Sequence, residues 1–220
     1  LSLLDHYGLE LDGTKVVVVG RSLVIGRPVA AMLTARNATV TTCHTHTRDL
    51  AAECRSADIV VAAVGRARTI GADAVREGQT IVDVGINWDE AAGKLVGDVD
   101  FDAAEPIVNA ITPVPGGVGA VTTAILAKHV IEAAERAGFE NIKLNCVLLG
   151  GMNDDEIGDF VRLTAKKPWQ VRFIELMPMG VCAAWPPERF LPAQEVLSRV
   201  PELRPAGRSG VAQLYRLPGA

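Results

Sequence analysis

The sequence predicts an α/β fold, a doubly wound parallel sheet extended by one further βαβ unit. Three observations carry that prediction. Continuous β-branched runs recur at Val16-Val17-Val18-Val19, Ile59-Val60-Val61-Ala62-Ala63-Val64 and Ile81-Val82-Asp83-Val84, and each ends in a glycine, as strands buried on both faces do. Stretches rich in Ala and Leu separate them, and strands alternating with helices argue for right-handed crossovers and a parallel sheet. A turn bounded by Gly20 and Gly26 joins the first strand to the first helix, the place where such folds receive anions.

Taken in order, the first strand covers residues 16–20 and the first helix residues 27–36, with Pro28 suited to the first helical turn. A second strand over 38–43, a helix over 49–55, and strands over 58–65, 80–85 and 107–112 continue the alternation. A long helix over 122–137 stops at Gly138, where a residue tolerant of positive φ is wanted. Beyond it come a strand over 142–149, a helix over 154–167 ended by Pro168, and a strand over 170–176. The remainder is rich in Pro, Gly and Ala, with a short helix over 193–200 and a last strand over 212–217. Residues 1–137 form one expected domain, and residues 138–220 a βαβ segment that continues the same sheet.

The composition, 49% hydrophobic and 22% charged, is that of a folded globular chain. A net charge of −4 with no concentrated Lys/Arg run argues against a nucleic-acid partner. No apolar run approaches the roughly 18 residues that cross a bilayer, and the chain starts without a basic, then hydrophobic, leader, so the expectation is a cytoplasmic protein with no membrane partner. Cys43, Cys54, Cys146 and Cys182 have no metal-type spacing and read as reduced thiols. His44 and His46 read as a strand end facing a ligand, and no metal is expected.

The turn Gly20-Arg21-Ser22-Leu23-Val24-Ile25-Gly26 suits a pyrophosphate at a helix N-terminus, although five residues separate its glycines and the common G-x-G-x-x-G fingerprint is absent. A carboxylate at the end of the second strand would hold the ribose hydroxyl of NAD and repel a 2′-phosphate. Here Cys43-His44-Thr45-His46-Thr47-Arg48 carries none, so NADP is expected, with Arg21 the first choice of phosphate partner and Arg48 or His44 the alternatives.

These residues also carry a family resemblance. Gly20-Arg21-Ser22 through Gly26 and Pro28, Cys43-His44-Thr45, Ala57 to Gly65, Val82-Asp83-Val84-Gly85-Ile86-Asn87, Gly97-Asp98-Val99 and Ile111 to Gly119 together resemble the bifunctional methylenetetrahydrofolate dehydrogenase/cyclohydrolase family over residues 3–135. The resemblance implies a Rossmann-like NADP-binding domain. It implies that Gly20, Arg21 and Ser22 hold cofactor phosphates and that His44 and Thr45 lie beside the 2′-phosphate. Val64, Gly65, Ile86, Gly116, Gly117 and Thr122 complete the cofactor site, with Ile86 against the nicotinamide half. Ala120-Val121 departs from the family's usual Pro-Met. The family's catalytic lysine and pterin-orienting aspartate belong to an amino-terminal domain that this sequence does not include, so the expectation is cofactor binding without turnover, and folate as a partner only with that domain. The cleft surface leaves a homodimer open.

A second resemblance begins near residue 130. Ala137-Gly138-Phe139, Ile142-Lys143-Leu144-Asn145, Asn153-Asp154-Asp155 and Val171 to Pro178 look like part of a GTP 3′,8-cyclase, the radical SAM enzyme of molybdenum-cofactor synthesis. It implies a nucleotide or SAM remnant at Lys143, Arg172 and Met177. The close cysteine triplet that binds a 4Fe–4S cluster is absent from the sequence, which excludes that reaction. Two alternatives to an NADP module therefore stand beside it: a recombined or designed scaffold that binds nothing well, and this nucleotide-binding remnant.

Overall fold

The computed structural model describes residues 1–219. Its elements run α1 (Ser2–His6), β1 (Lys15–Val19), α2 (Gly26–Thr34), β2 (Thr39–Cys43), α3 (Leu50–Arg55), β3 (Ile59–Ala62), β4 (Thr80–Asp83), β5 (Asn87–Asp89), β6 (Lys94–Val96), α4 (Phe101–Ala104), β7 (Ala110–Ile111), α5 (Val118–Arg136), β8 (Lys143–Leu148), α6 (Ile157–Lys166), β9 (Gln170–Glu175), α7 (Gln194–Arg199), β10 (Arg204–Ser209) and β11 (Ala212–Arg216). By contact the chain divides into Leu1–Ala127 and Lys128–Ala220, a division that falls inside α5, ten residues before the boundary expected from sequence.

In the first unit five parallel strands line up in the order β2-β1-β3-β4-β7. The valine runs are explained by burial of both faces. Val16 and Val18 enter one core with Ile59, Val61, Val82, Leu33 of α2 and Leu4 of α1. Their neighbours Val17 and Val19 enter another with Val60, Ala62, Ile81, Cys54 of α3 and Ala104 of α4. Alternate residues of one strand thus feed two cores, so a buried parallel strand reads as continuous rather than alternating hydrophobicity. Burying a side chain such as Leu33 contributes about 1.5–3 kcal/mol.

The chain moves from β1 outward to β2 and then returns across β1 to β3, so the order reverses between β1 and β3. At such a switch point the loops leaving the two strands diverge and open a crevice beyond their carboxyl ends. Several expectations are corrected around this frame. The strand expected over 107–112 shrinks to Ala110–Ile111, because Ile107 and Val108 donate back to Ala104 and close the turn after α4. The β5–β6 hairpin, the short α1 and strand β10 were not anticipated, and α5 begins four residues earlier than expected.

The second unit does not continue the first sheet. Strands β8 and β9 pair in parallel over six positions, Lys143↔Gln170 to Leu148↔Glu175, and among the described residues form a two-stranded sheet of their own. The edge strand β7 offers a two-residue ladder, and the chain leaves it through Pro113, which has no N–H to donate. It gives a further strand little to pair with. One face of β8–β9 is closed instead by α6 and α7, where Leu148, Ile157, Val161, Val196 and Val200 form their own core with Phe173 packed against it. The expected helix over 154–167 opens as a 3₁₀ turn, Asp154–Glu156, before α6, and β11 pairs antiparallel with β10.

Candidate nucleotide site

The turn at the switch point is built by contact between backbones. Gly20 leaves β1 at φ +123°, and a methyl group there would overlap the Ala63 carbonyl beyond β3. Gly26, the first residue of α2, packs so that a methyl group would overlap the Gly20 carbonyl. Three segments stack only because two of the touching residues lack Cβ. This accounts for the five-residue gap between the glycines: one serves the strand exit and the other the helix entrance. Between them the Ser22 Oγ accepts hydrogen bonds from the Ile25 and Gly26 N–H groups (3.1 and 3.3 Å), so its own O–H remains a donor.

The end of β2 forms the second wall. The His44 N–H donates to the Thr47 hydroxyl (2.9 Å), and the His46 N–H donates to His44 Nδ1 (3.1 Å), which puts the proton of the neutral imidazole on Nε2. Partial burial lowers the His44 imidazole from its usual value, and the charge of Arg21 pushes the same way. Arg21 and His44 thus share one electrostatic neighbourhood, joined across β1 and β2, with Arg21 and Thr45 exposed. The nearest following carboxylate, Asp49, is occupied as the cap of α3, accepting from the Ala52 N–H at 2.8 Å. With Nδ1 engaged, a His44–His46 metal clamp through that nitrogen is closed, and among the described residues no cluster of three or more His, Cys, Asp or Glu could hold a metal.

A third wall follows β3. The Val64, Gly65 and Arg66 N–H groups converge on the Asp98 carboxylate, which also accepts from the Asn87 amide. Beyond β4, Ile86 stands 65% exposed and borders a cavity of about 170 Å³ with Asp83, Leu95, Gly116 and Gly117. A cavity of about 150 Å³ takes a benzene ring, so this one fits a single ring rather than a whole dinucleotide. Thr122 lies outside it, its hydroxyl donating to the Gly119 carbonyl at 2.8 Å. Buried Asp83 is held above the usual carboxylate range by desolvation, opposed by hydrogen bonds from Val99, Asp98 and Gly85.

Sequence reasoning missed Asp98 as an organiser. It lies within Gly97-Asp98-Val99, and a lone buried aspartate leaves no periodic trace. Elsewhere, Lys143 and Arg172 project to the exposed face of β8–β9, two register positions apart, while Met177 follows the strand at 61% exposure. The cavity beside Ile86 includes none of the three. Among the described residues no helix is long and apolar enough to cross a membrane.

The family described as tetrahydrofolate dehydrogenase/cyclohydrolase, NAD(P)-binding domain, matches residues 1–138. The bifunctional protein FolD of Carboxydothermus hydrogenoformans is 55% identical over 136 residues, 61% of this chain and 47% of that protein. FolD of Moorella thermoacetica is 56% identical over 134 residues, 61% of this chain and 48% of its own. Among solved structures, the Campylobacter jejuni FolD dehydrogenase/cyclohydrolase aligns with a TM-score of 0.60 at 43% identity, over 62% of this chain and 48% of that one. The Trypanosoma brucei enzyme, solved with NADP cofactor and inhibitor, aligns at 0.58 and 40% identity, over 63% and 49%. The chain spans about half the length of the curated relatives it matches.

Proposed function

Because this chain belongs to the family of tetrahydrofolate dehydrogenase/cyclohydrolase NAD(P)-binding domains, we propose that its crevice holds NADP(H) and supplies the cofactor half of a methylenetetrahydrofolate dehydrogenase. The observation that carries the choice of NADP is the wall after β2: Arg21 and His44 follow adjacent, hydrogen-bonded strand ends, and the segment Cys43 to Arg48 carries no carboxylate, the next one, Asp49, facing the Ala52 N–H as the cap of α3. A 2′-phosphate meets cation, imidazole N–H and the Thr45 hydroxyl there, without the carboxylate at the strand end that holds the ribose hydroxyl of NAD.

The rest of the molecule fits along the same crevice. The stacking that Gly20 and Gly26 permit fixes the turn at the entrance of α2, where a pyrophosphate meets the Ser22 O–H as donor. Val64 and Gly65 line the middle, and the ring-sized cavity beside Ile86, Gly116 and Gly117 takes the nicotinamide. NADP bound here would supply hydride-transfer chemistry at its nicotinamide ring. This chain's own residues bind and orient: they fix the phosphates at one end and exclude water from one ring face at the other.

The test is titration of the chain with NADPH and with NADH, followed by nicotinamide fluorescence, for the wild type and for Arg21→Ala. Wild type is expected to prefer NADPH. An exposed guanidinium about 4 Å from a phosphate contributes on the order of 1 kcal/mol per charge, so Arg21→Ala should cut that preference roughly tenfold and leave NADH binding unchanged. A folded chain that binds neither dinucleotide refutes the reading.

A further inference from the structure

Asp98 is fully buried, and among the described residues no Lys, Arg or His forms an ion pair with it. Four hydrogen bonds take that place. Its Oδ2 accepts from the N–H groups of Val64 (2.5 Å) and Gly65 (2.9 Å), and its Oδ1 from the Arg66 N–H (3.0 Å) and the Asn87 side-chain amide (2.9 Å). Three consecutive N–H groups converging on one carboxylate is the arrangement by which a backbone wraps an anion. Here the anion is internal.

The carboxylate is itself fixed from behind. Asp83, at the end of β4, accepts from the Asp98 and Gly85 N–H groups through Oδ1 (3.0 and 2.8 Å) and from the Val99 N–H through Oδ2 (2.8 Å). The two acids approach so closely that a methyl group on Gly85 would overlap Asp98, and one on Gly97 would overlap Asp83. The result is a relay from the end of β4, through Asp98, to the loop leaving β3. That loop stands between the phosphate turn after β1 and the ring-sized cavity after β4, in the order the strands impose.

Resting on the cofactor reading above, we propose that Asp98 is a positioning residue for the ribose–nicotinamide half of the dinucleotide: it locks Val64, Gly65 and Arg66 to Asn87 and so shapes the wall between the phosphate turn and the ring cavity. The adenine half is left to Arg21, Ser22 and His44, which share no hydrogen bond with Asp98. A loop already held in its bound shape costs less to order on binding, so the tether acts through affinity for one end of the ligand.

The experiment compares NADPH with adenosine 2′,5′-bisphosphate, which carries the adenine end only, on the full chain. Asp98→Asn keeps the side chain's size but turns one acceptor oxygen into a donor facing other donors. It is expected to weaken NADPH roughly tenfold or more while 2′,5′-bisphosphate binds as to wild type, since an unsatisfied buried group is costly. A purely structural role would weaken both ligands together. If Asp98→Asn fails to fold by circular dichroism, Asn87→Ala decides the matter: it removes one of the four bonds from a half-buried side chain, and the same split, roughly threefold, is expected. Equal losses for both ligands, or no loss for NADPH, overturn the role of Asp98. A folded wild type that binds neither ligand overturns the cofactor reading instead.

Discussion

Gln79→Leu tests the packing at the opposite end of the sheet from the crevice. Gln79 is fully buried just before β4, and every polar atom of its side chain is used. Its Nε2 donates to the Cys54 and Ala57 carbonyls (2.8 and 2.7 Å), and its Oε1 accepts from the Arg76 N–H (2.7 Å). Leucine fills nearly the same volume and makes none of these bonds. The two carbonyls keep other donors, the Ala57 N–H at 3.2 Å and the Arg76 Nη2 at 2.9 Å, so one group is orphaned, the Arg76 N–H. An orphaned donor costs about 1–3 kcal/mol and each of two lost bonds about 0.5–1.5 kcal/mol, offset in part by the apolar replacement, for a net loss of about 2–4 kcal/mol. At roughly 2–4 °C per kcal/mol for a chain of this size, the melting temperature should fall by about 4–16 °C. Calorimetry measures the fall, and NADPH titration below the melt should show unchanged affinity. A variant that melts within 1 °C of wild type refutes the assigned role of the side chain, and one that loses cofactor affinity refutes the separation of the two ends.

Other outcomes follow from the same geometry. Gly20→Ala, which forces a methyl against the Ala63 carbonyl at a positive φ, should lose at least tenfold in NADPH affinity, whereas Gly13→Ala, positive in φ but open in space, should lower the melting temperature alone. Leu33→Ala, at a fully buried site, should cost about 2–5 kcal/mol in denaturant unfolding. Burial pushes the Cys54 thiol up to about 12, so a thiol reagent at pH 8 should modify half-exposed Cys182 in the native chain and reach Cys54 only after unfolding, as peptide mapping will show. Asp89 is held below its usual 3.8 by the Ala92 N–H and by Arg68, so its contribution to the β5–β6 hairpin is complete above that value and lost as pH falls through the lower folded one. Trp88 fluorescence should report that acid transition, and Asp89→Asn should abolish the difference between neutral and acid pH.

The central sheet was legible because its signal is local and redundant. Val16 to Val19 must feed two cores, and no other element needs four consecutive β-branched residues. The glycine turn after β1 was legible as a position but not as packing, since the spacing of Gly20 and Gly26 makes sense only once Ala63 is brought against Gly20. The cofactor preference proposed above rests on an omission that the sequence already shows, the missing acid after β2. The hairpin β5–β6 escaped because three-residue strands have no period to detect, and Asp98 escaped because its partners lie 11 to 34 residues away. The expected continuation of the sheet into β8 and β9 failed for a different reason: pattern identifies strands, and pairing depends on an edge long enough to accept one.

The Asp98 tether also has a signature in time. Amides in a solvent-facing loop ordinarily exchange with deuterium almost as fast as in an unfolded chain, because nothing has to open first. The Gly65 and Arg66 amides sit in such a loop on exposed residues, yet they are bonded to a carboxylate fixed in the interior. Their exchange must wait for an opening that separates β4 from the loop after β3, so they should report the slow breathing of the sheet rather than the fast motion of its surface.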